Sequence, residues 1–157
     1  DALSRGLGDV YKRQLNDIPK ESSMLGKANL IKEGNDMTIV TYSNMVNVAK
    51  EALAAEELQN CSIELIDLQT VSPIDYDTIK NSLKKTKRLL VCQEAPSNSS
   101  VGTTVISKIV ESELFHELEV APKLVSGLHS PMPSAKHLEL NVIPQVEDIT
   151  NAVKSML

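Results

Sequence analysis

Aromatic residues are scarce in this 157-residue sequence, which has three Tyr, one Phe and no Trp. A single-stranded nucleic-acid platform needs aromatic faces on which bases stack, so that function is excluded. Positive charge is also in deficit. Lys and Arg number 16 against 21 Asp and Glu, for a net charge of -5 and a pI near 5.2, the opposite of the basic stripe a phosphate-backbone binder carries. The longest basic cluster, Lys84 to Arg88, falls at a predicted helix end, where cations complement the dipole. No apolar run approaches the roughly 18 residues of a membrane span, and no basic segment followed by an apolar one marks a secretion signal. The only two cysteines, Cys61 and Cys92, form no Cys-x-x-Cys pair. They are read as reduced and structural, in a cytoplasmic setting or a mitochondrial matrix. Glycine is too sparse for the familiar nucleotide motifs. There is no Gly-x-x-x-x-Gly-Lys phosphate loop, no dinucleotide fingerprint after Gly6-Leu7-Gly8, and no Gly-x-Ser-x-Gly nucleophile elbow.

What is present reads as alternating strands and helices. Residues 1–14 have no periodic apolar pattern, and Asp9 to Gln14 resembles the in-frame translation of a transposon-end sequencing adaptor. This stretch is taken as an artefact or a disordered tail, and residues 15–24 as a linker. Ala28 to Lys32 is a predicted strand, with Glu33-Gly34-Asn35-Asp36 as a turn folding it back on the β-branched run Met37 to Tyr42. A helix capped by Ser43 or Asn44 extends to about Leu58, with Glu56 intruding on its apolar face. Ser62 to Leu68 is a strand, and Asp75 starts a helix to about Lys85. Arg88 to Glu94 holds Leu89-Leu90-Val91-Cys92, a strand buried on both faces. A helix spans Thr103 to Leu118, a short strand Lys123 to Ser126, and a last helix starts at about Pro144. The pattern gives a three-layer αβα domain over residues 25–157, its five-stranded sheet mostly parallel with one antiparallel edge strand.

Chemistry is thin in the residues themselves. His116 has Glu113 and Glu119 within helical reach, yet a zinc site needs roughly three or four ligands and no second cluster accompanies it. His129 lies in a loop at the carboxyl end of a strand, where open α/β sheets bind ligands. His137 caps or flanks a helix. Ser97 to Gly102 precedes a helix N-terminus, where serines serve as caps. Glu94, Asp67 and Asp75 lie near strand ends, where paired carboxylates do acid/base work. None of these carries a function alone.

Four segments, in order and correctly spaced, carry a resemblance. They are Gly26-Lys27-Ala28 with Glu33 to Val40; Ile66 to Asp75; Arg88 to Pro96; and Pro131-Met132-Pro133 with Leu138-Glu139 and Ile143 to Ile149. Over nearly all of residues 25–157 the chain resembles the transketolase C-terminal domain of the β subunit of thiamine-diphosphate-dependent 2-oxoacid dehydrogenases, pyruvate or branched-chain type. The resemblance implies oxidative decarboxylation of a 2-oxoacid with acyl transfer to a lipoyl group, the carbanion chemistry belonging to thiamine diphosphate. It also implies that the activating carboxylate lies in an N-terminal domain, and the diphosphate and Mg on an α subunit. This fragment alone is therefore expected to bind no cofactor and to be inactive.

What remains for the domain is assembly with an α subunit and a second β subunit in a heterotetramer. It is also expected to dock the subunit-binding domain of a lipoyl acyltransferase, with the final helix as the docking element. The intersubunit surface is placed on the loops carrying Glu94, Ser100, Val101 and Gly102, and His129, Pro131, Pro133 and Ser134. Two departures stand out. Ser100-Val101-Gly102 replaces the Gly-x-Gly of relatives, and Ser134 replaces an aromatic residue after Pro133. The alternatives are a deoxyxylulose-phosphate synthase or split transketolase within the family, or a free-standing protein-interaction module outside it.

Overall fold

The structure is a computed structural model, and residues 24–157 are described. The adaptor-like segment 1–14 and nearly all of the linker 15–24 lie outside the described residues. The strands are β1 (Asn29–Lys32), β2 (Met37–Thr41), β3 (Ile63–Asp67), β4 (Leu89–Pro96) and β5 (Lys123–Gly127), and the α-helices are α1 (Met45–Ala54), α2 (Tyr76–Thr86), α3 (Val101–Val110), α4 (Lys136–Glu139) and α5 (Val146–Lys154). The sheet order is β1-β3-β2-β4-β5, with β1 antiparallel to β3 and every other pair parallel. This is the expected three-layer αβα architecture.

The apolar runs explain the layers. All five residues of β2 are buried, as are the first five of β4, because helices cover both faces. Strand alternation sends Met37, Ile39, Leu65, Leu90 and Cys92 to one face, against Met45, Ala49 and Leu53 of α1 and Ile149 and Val153 of α5. It sends Val40, Ile66, Leu89 and Val91 to the other, against Ile79 and Leu83 of α2 and Val105 and Ile109 of α3. Burial pushes the Cys92 thiol far above its usual range, so this cysteine acts as a small core hydrophobe.

The predicted hairpin is corrected. β1 pairs with β3 and does not pair with β2. The turn grips the start of β3 instead. Asn35 and Asp36 each donate their amide to Ser62 O at 2.8 Å, Asp36 Oδ2 accepts from Ser62 N at 2.7 Å, and Gly34 N donates to Glu64 Oε2 at 3.2 Å. The turn thus strides over the amino end of β3, leaving β1 and β2 on opposite sides of it. Helix ends also shift. α1 stops at Ala54, where Ala55 turns extended, and a 3₁₀ turn (Glu56–Leu58) buries Leu58 while Glu56 stays exposed. α3 begins earlier and ends at Val110, with His116 in a separate 3₁₀ turn beside Phe115. Pro144 precedes the last helix, whose cap is Gln145 in a reciprocal pair with Asp148.

Two buried carboxylates tie the strands to α2. Asp75 caps the helix, accepting from Thr78 N at 3.2 Å and Thr78 Oγ1 at 2.8 Å, and it also accepts from Ala28 N at 3.1 Å. Glu64 pairs with Lys85 above the hydroxyls of Thr38, Ser82 and Thr86. Burial alone would raise both carboxyls. The hydrogen bonds from Lys85, Ser82 and Gly34 to Glu64, and from Ala28 and Thr78 to Asp75, outweigh it and hold both below the usual carboxylate range, helped by the Lys85 and Lys27 charges. A folded pKa below the unfolded one stabilises at pH above the unfolded value, about 4, and that contribution disappears as pH falls through the folded value. Urea melts are expected to show stability falling below about pH 5. The double variant Glu64→Gln/Asp75→Asn should be less stable at neutral pH and show a flatter acid limb.

Candidate functional site

In an open α/β sheet, chemistry gathers where successive strands step off in opposite directions, outside their carboxyl ends. Here β2 is that strand: the chain steps from it to β3 on one side, and returns past it to β4 on the other. The end of β2 is pinned to β4 by Thr41, whose Oγ1 donates to Cys92 O at 3.0 Å. Next to it Asn44 was expected to cap α1. Its side chain makes no cap bond and instead donates Nδ2 to Glu94 Oε1 at 3.3 Å. Tyr42 lies half-buried nearby, its phenol pKa raised by burial and by the Glu94 carboxylate. Glu94, Asn44 and Tyr42 therefore line the switch point.

The backbone along this edge is unusual. Ser43 after β2, Gln69 after β3 and Ser99 after β4 have φ of 58°, 54° and 48°. Left-handed conformations of non-glycine residues are uncommon, and strain of this kind clusters at functional edges.

The loop after β4 is organised by a residue that sequence reasoning missed. Gln93 is fully buried at the end of an apolar strand. Its Oε1 accepts from Gly102 N at 2.7 Å, and its Nε2 donates to Ala95 O at 2.9 Å and Pro96 O at 3.1 Å. A polar residue closing the run Leu89 to Cys92 is the signal that could have flagged it. Gly102 has to be glycine, since a Cβ would come within 2.6 Å of both Gln93 Oε1 and Leu124 Cδ1. At Ser100, by contrast, φ is -105° and ψ 165°, extended backbone open to any residue. The serine there caps α3, accepting from Thr103 N at 3.3 Å while Ser100 N donates to Thr103 Oγ1 at 3.0 Å. The departure from Gly-x-Gly thus costs the backbone nothing and adds a cap.

Ser100 and Gly102 are buried and Val101 is half-buried against the α2–α3 core, so these three face inward; Ala95 and Ser97 to Ser99 are the exposed part of that loop. Gln93 sets this inward course by drawing the start of α3 down onto β4. His129, Pro131 and Ser134 are exposed, and Pro133 is half-buried, on the segment C-terminal to β5. β4 and β5 are neighbours, so the two segments share one edge of the sheet. They approach closely enough that a Cβ on Gly127 would lie 2.1 Å from Glu94 O. Large apolar side chains gather on the same segment: Leu128, Met132, Leu138 and Leu140 are exposed, Leu128 to 60%.

The candidate carboxylates are occupied locally: Asp67 Oδ1 accepts from Gln69 N at 3.0 Å, Asp75 caps α2, and Glu94 meets Asn44. Among the described residues no three His, Cys, Asp or Glu side chains come together to hold a metal. No helix among them is long and apolar enough to cross a membrane.

Comparison with known proteins converges on one family. The chain is 42% identical over 131 residues to the pyruvate dehydrogenase E1 component subunit beta of Rickettsia bellii, covering 83% of this chain and 40% of that protein. It is 38% identical over 130 residues to the mitochondrial pyruvate dehydrogenase E1 component subunit beta of Pisum sativum, covering 83% of this chain and 36% of that one. The chain thus spans about two-fifths of the length of such relatives. A solved split-gene transketolase, an inactive beta4 tetramer, superposes with a TM-score of 0.74 at 23% identity, over 92% of this chain and 46% of its own, and shows the same fold. Residues 26–149 match the family described as Transketolase, C-terminal domain, and the chain belongs to that family.

Proposed function

We propose that this domain is the assembly and docking part of the β subunit of a thiamine-diphosphate-dependent 2-oxoacid dehydrogenase of the pyruvate type. The observation that carries the reading is the exposed apolar surface along the carboxyl edge, formed by Leu128, Met132, Leu138 and Leu140, with Met24, Leu25 and Val71 exposed on the first described residues and the loop after β3. Monomeric soluble proteins rarely expose large apolar patches, and such surface marks an interaction site. Kinship with pyruvate dehydrogenase β subunits suggests the kind of partner, an α subunit and a second β subunit. The net charge of -5 suits a basic docking domain on a lipoyl acyltransferase. Thiamine diphosphate and Mg serve the complete assembly and are held outside this segment, where the carbanion chemistry takes place. The compartment follows the assembly, cytoplasmic in a bacterium or the matrix in a mitochondrion.

The test is reconstitution. With pyruvate, thiamine diphosphate and Mg, the 157-residue chain alone is expected to release no CO₂. Joined to the upstream portion of a relative's β subunit and coexpressed with an α subunit, it should decarboxylate pyruvate and load a lipoyl acceptor. Turnover by the isolated chain would overturn the proposal, as would a correctly folded chimaera that never captures the α subunit.

A further inference from the structure

The side-chain amide of an asparagine lies within reach of the next backbone nitrogen. Once that nitrogen loses its proton, it can attack the side-chain carbonyl carbon and close a five-membered succinimide. The step needs a following amide free of hydrogen bonds, a small following side chain, and a loop open to water. Among the described residues these conditions meet at one asparagine. Large or branched side chains follow Asn29, Asn44, Asn47 and Asn141. Asn81 and Asn151 lie inside α2 and α5, where the next amide belongs to the helix ladder. After Asn60, Cys61 N donates to Leu58 O at 3.0 Å, and after Asn35, Asp36 N donates to Ser62 O at 2.8 Å. Asn98 differs from all of these. It and Ser99 are exposed in the loop after β4, and neither Ser99 N nor the Asn98 side chain makes a hydrogen bond among the described residues.

We propose that Asn98-Ser99 is a spontaneous modification site, at which the exposed loop of the carboxyl edge gains a carboxylate and a re-routed backbone. The Ser99 nitrogen bonds to Asn98 Cγ, the Cγ–Nδ2 bond breaks, and ammonia leaves with the proton that Ser99 N gave up. Water, the sole co-reactant, then opens the succinimide. Attack at Cγ leaves aspartate. Attack at the main-chain carbonyl leaves isoaspartate, whose chain runs through Cβ and is one carbon longer. That longer link falls between Ser97 and Ser100, which are tied by a bond from Ser100 Oγ to Ser97 O at 3.2 Å. Ser100 in turn caps α3 by accepting from Thr103 N, so the isoaspartyl form should loosen the first turn of that helix. The chemistry needs only this chain and water, and is independent of the dehydrogenase reading.

Asn81-Ser82 supplies the control, because the same dipeptide sits inside α2. The 157-residue chain is incubated at mildly alkaline pH, with and without urea, and tandem mass spectrometry of its peptides locates each change. In the native chain the Asn98 peptide should gain about 1 Da, the amide having become an acid, and should split into two isomers. It should do so at least about tenfold faster than the Asn81 peptide, which reacts only when α2 opens. In urea the two rates should converge. Mildly acidic buffer should slow the native reaction, since the attacking nitrogen must lose its proton. Ser99→Gly should speed it, because glycine keeps the φ of 48° without strain and leaves the nitrogen unhindered. Asn98→Asp carries the new charge without the longer backbone. The Thr103 amide should therefore exchange its hydrogen faster in the aged isoaspartyl chain than in that variant. An Asn98 that stays intact, an Asn81 that keeps pace with it in the native chain, or a product holding aspartate alone overturns the proposal.

Discussion

Gly34→Ala will lose about 3 kcal/mol of stability, read as a lowered urea midpoint with an unchanged slope. The reason lies in three main-chain atoms. A Cβ on Gly34 would stand 2.2 Å from Ile63 C, 2.3 Å from Glu64 N and 2.6 Å from Ser62 O. A flexible side chain can turn away from such an approach, but these atoms open β3, which is held by β1 on one side and β2 on the other. The turn can escape only by lifting, which breaks the bonds from Asn35 and Asp36 to Ser62 O and from Gly34 N to Glu64. Lifting also withdraws a donor from the Glu64–Lys85 pair. With that donor gone the Glu64 carboxyl is held down less, so the acid limb of the stability profile should flatten. A loss below about 1 kcal/mol would mean that the turn does not grip β3 as described.

Gln93→Ala should cost a similar amount, about 3 kcal/mol, for a different reason. Removing the amide strands the buried donor Gly102 N, which it satisfies at 2.7 Å, opens a cavity in the core, and releases to solvent the loop carbonyls Ala95 O and Pro96 O that it holds at 2.9 and 3.1 Å. Buried polar groups without partners pay their full desolvation cost. Gln93→Leu separates this from cavity formation. It fills nearly the same volume, and is expected to be almost as destabilising as alanine, because the buried Gly102 amide remains unpaired and the loop loses its tie to Gln93. Hydrogen exchange provides the local readout, with the Gly102 amide losing protection in both variants. If leucine restored most of the stability, packing would outweigh the polar bridge between β4 and α3.

These two positions also mark where sequence reading reaches and where it stops. Apolar runs such as Leu89 to Cys92 announce buried parallel strands by composition, and Asp75 after Ser72-Pro73 announces a capped helix by local chemistry. Both depend on neighbours a few residues apart. The partner of β1 does not: Glu33 to Asp36 is a good turn whichever strand lies beside it, and the choice of β3 rests on hydrogen bonds to Ser62, 26 or 27 residues away. Gln93 is a similar case, since a polar residue after four apolar ones reads as the point where a strand surfaces. Only the folded chain shows its amide turned inward. At the candidate site, Glu94 and His129 were legible as residues at strand ends. The roles of Tyr42 and Asn44 were not, because Asn44 is as good a cap by sequence as it is a partner for Glu94 in space.

The strand order has a consequence for synthesis. β2 is the most completely enclosed strand, yet one of its two neighbours, β4, does not begin until Leu89. While a ribosome is still making α2, the chain therefore exposes one bare side of its stickiest segment, and stays in that state until the fourth strand emerges. Premature termination or a pause in that window should be more damaging than one after Pro96, and chaperone capture of nascent chains should peak there.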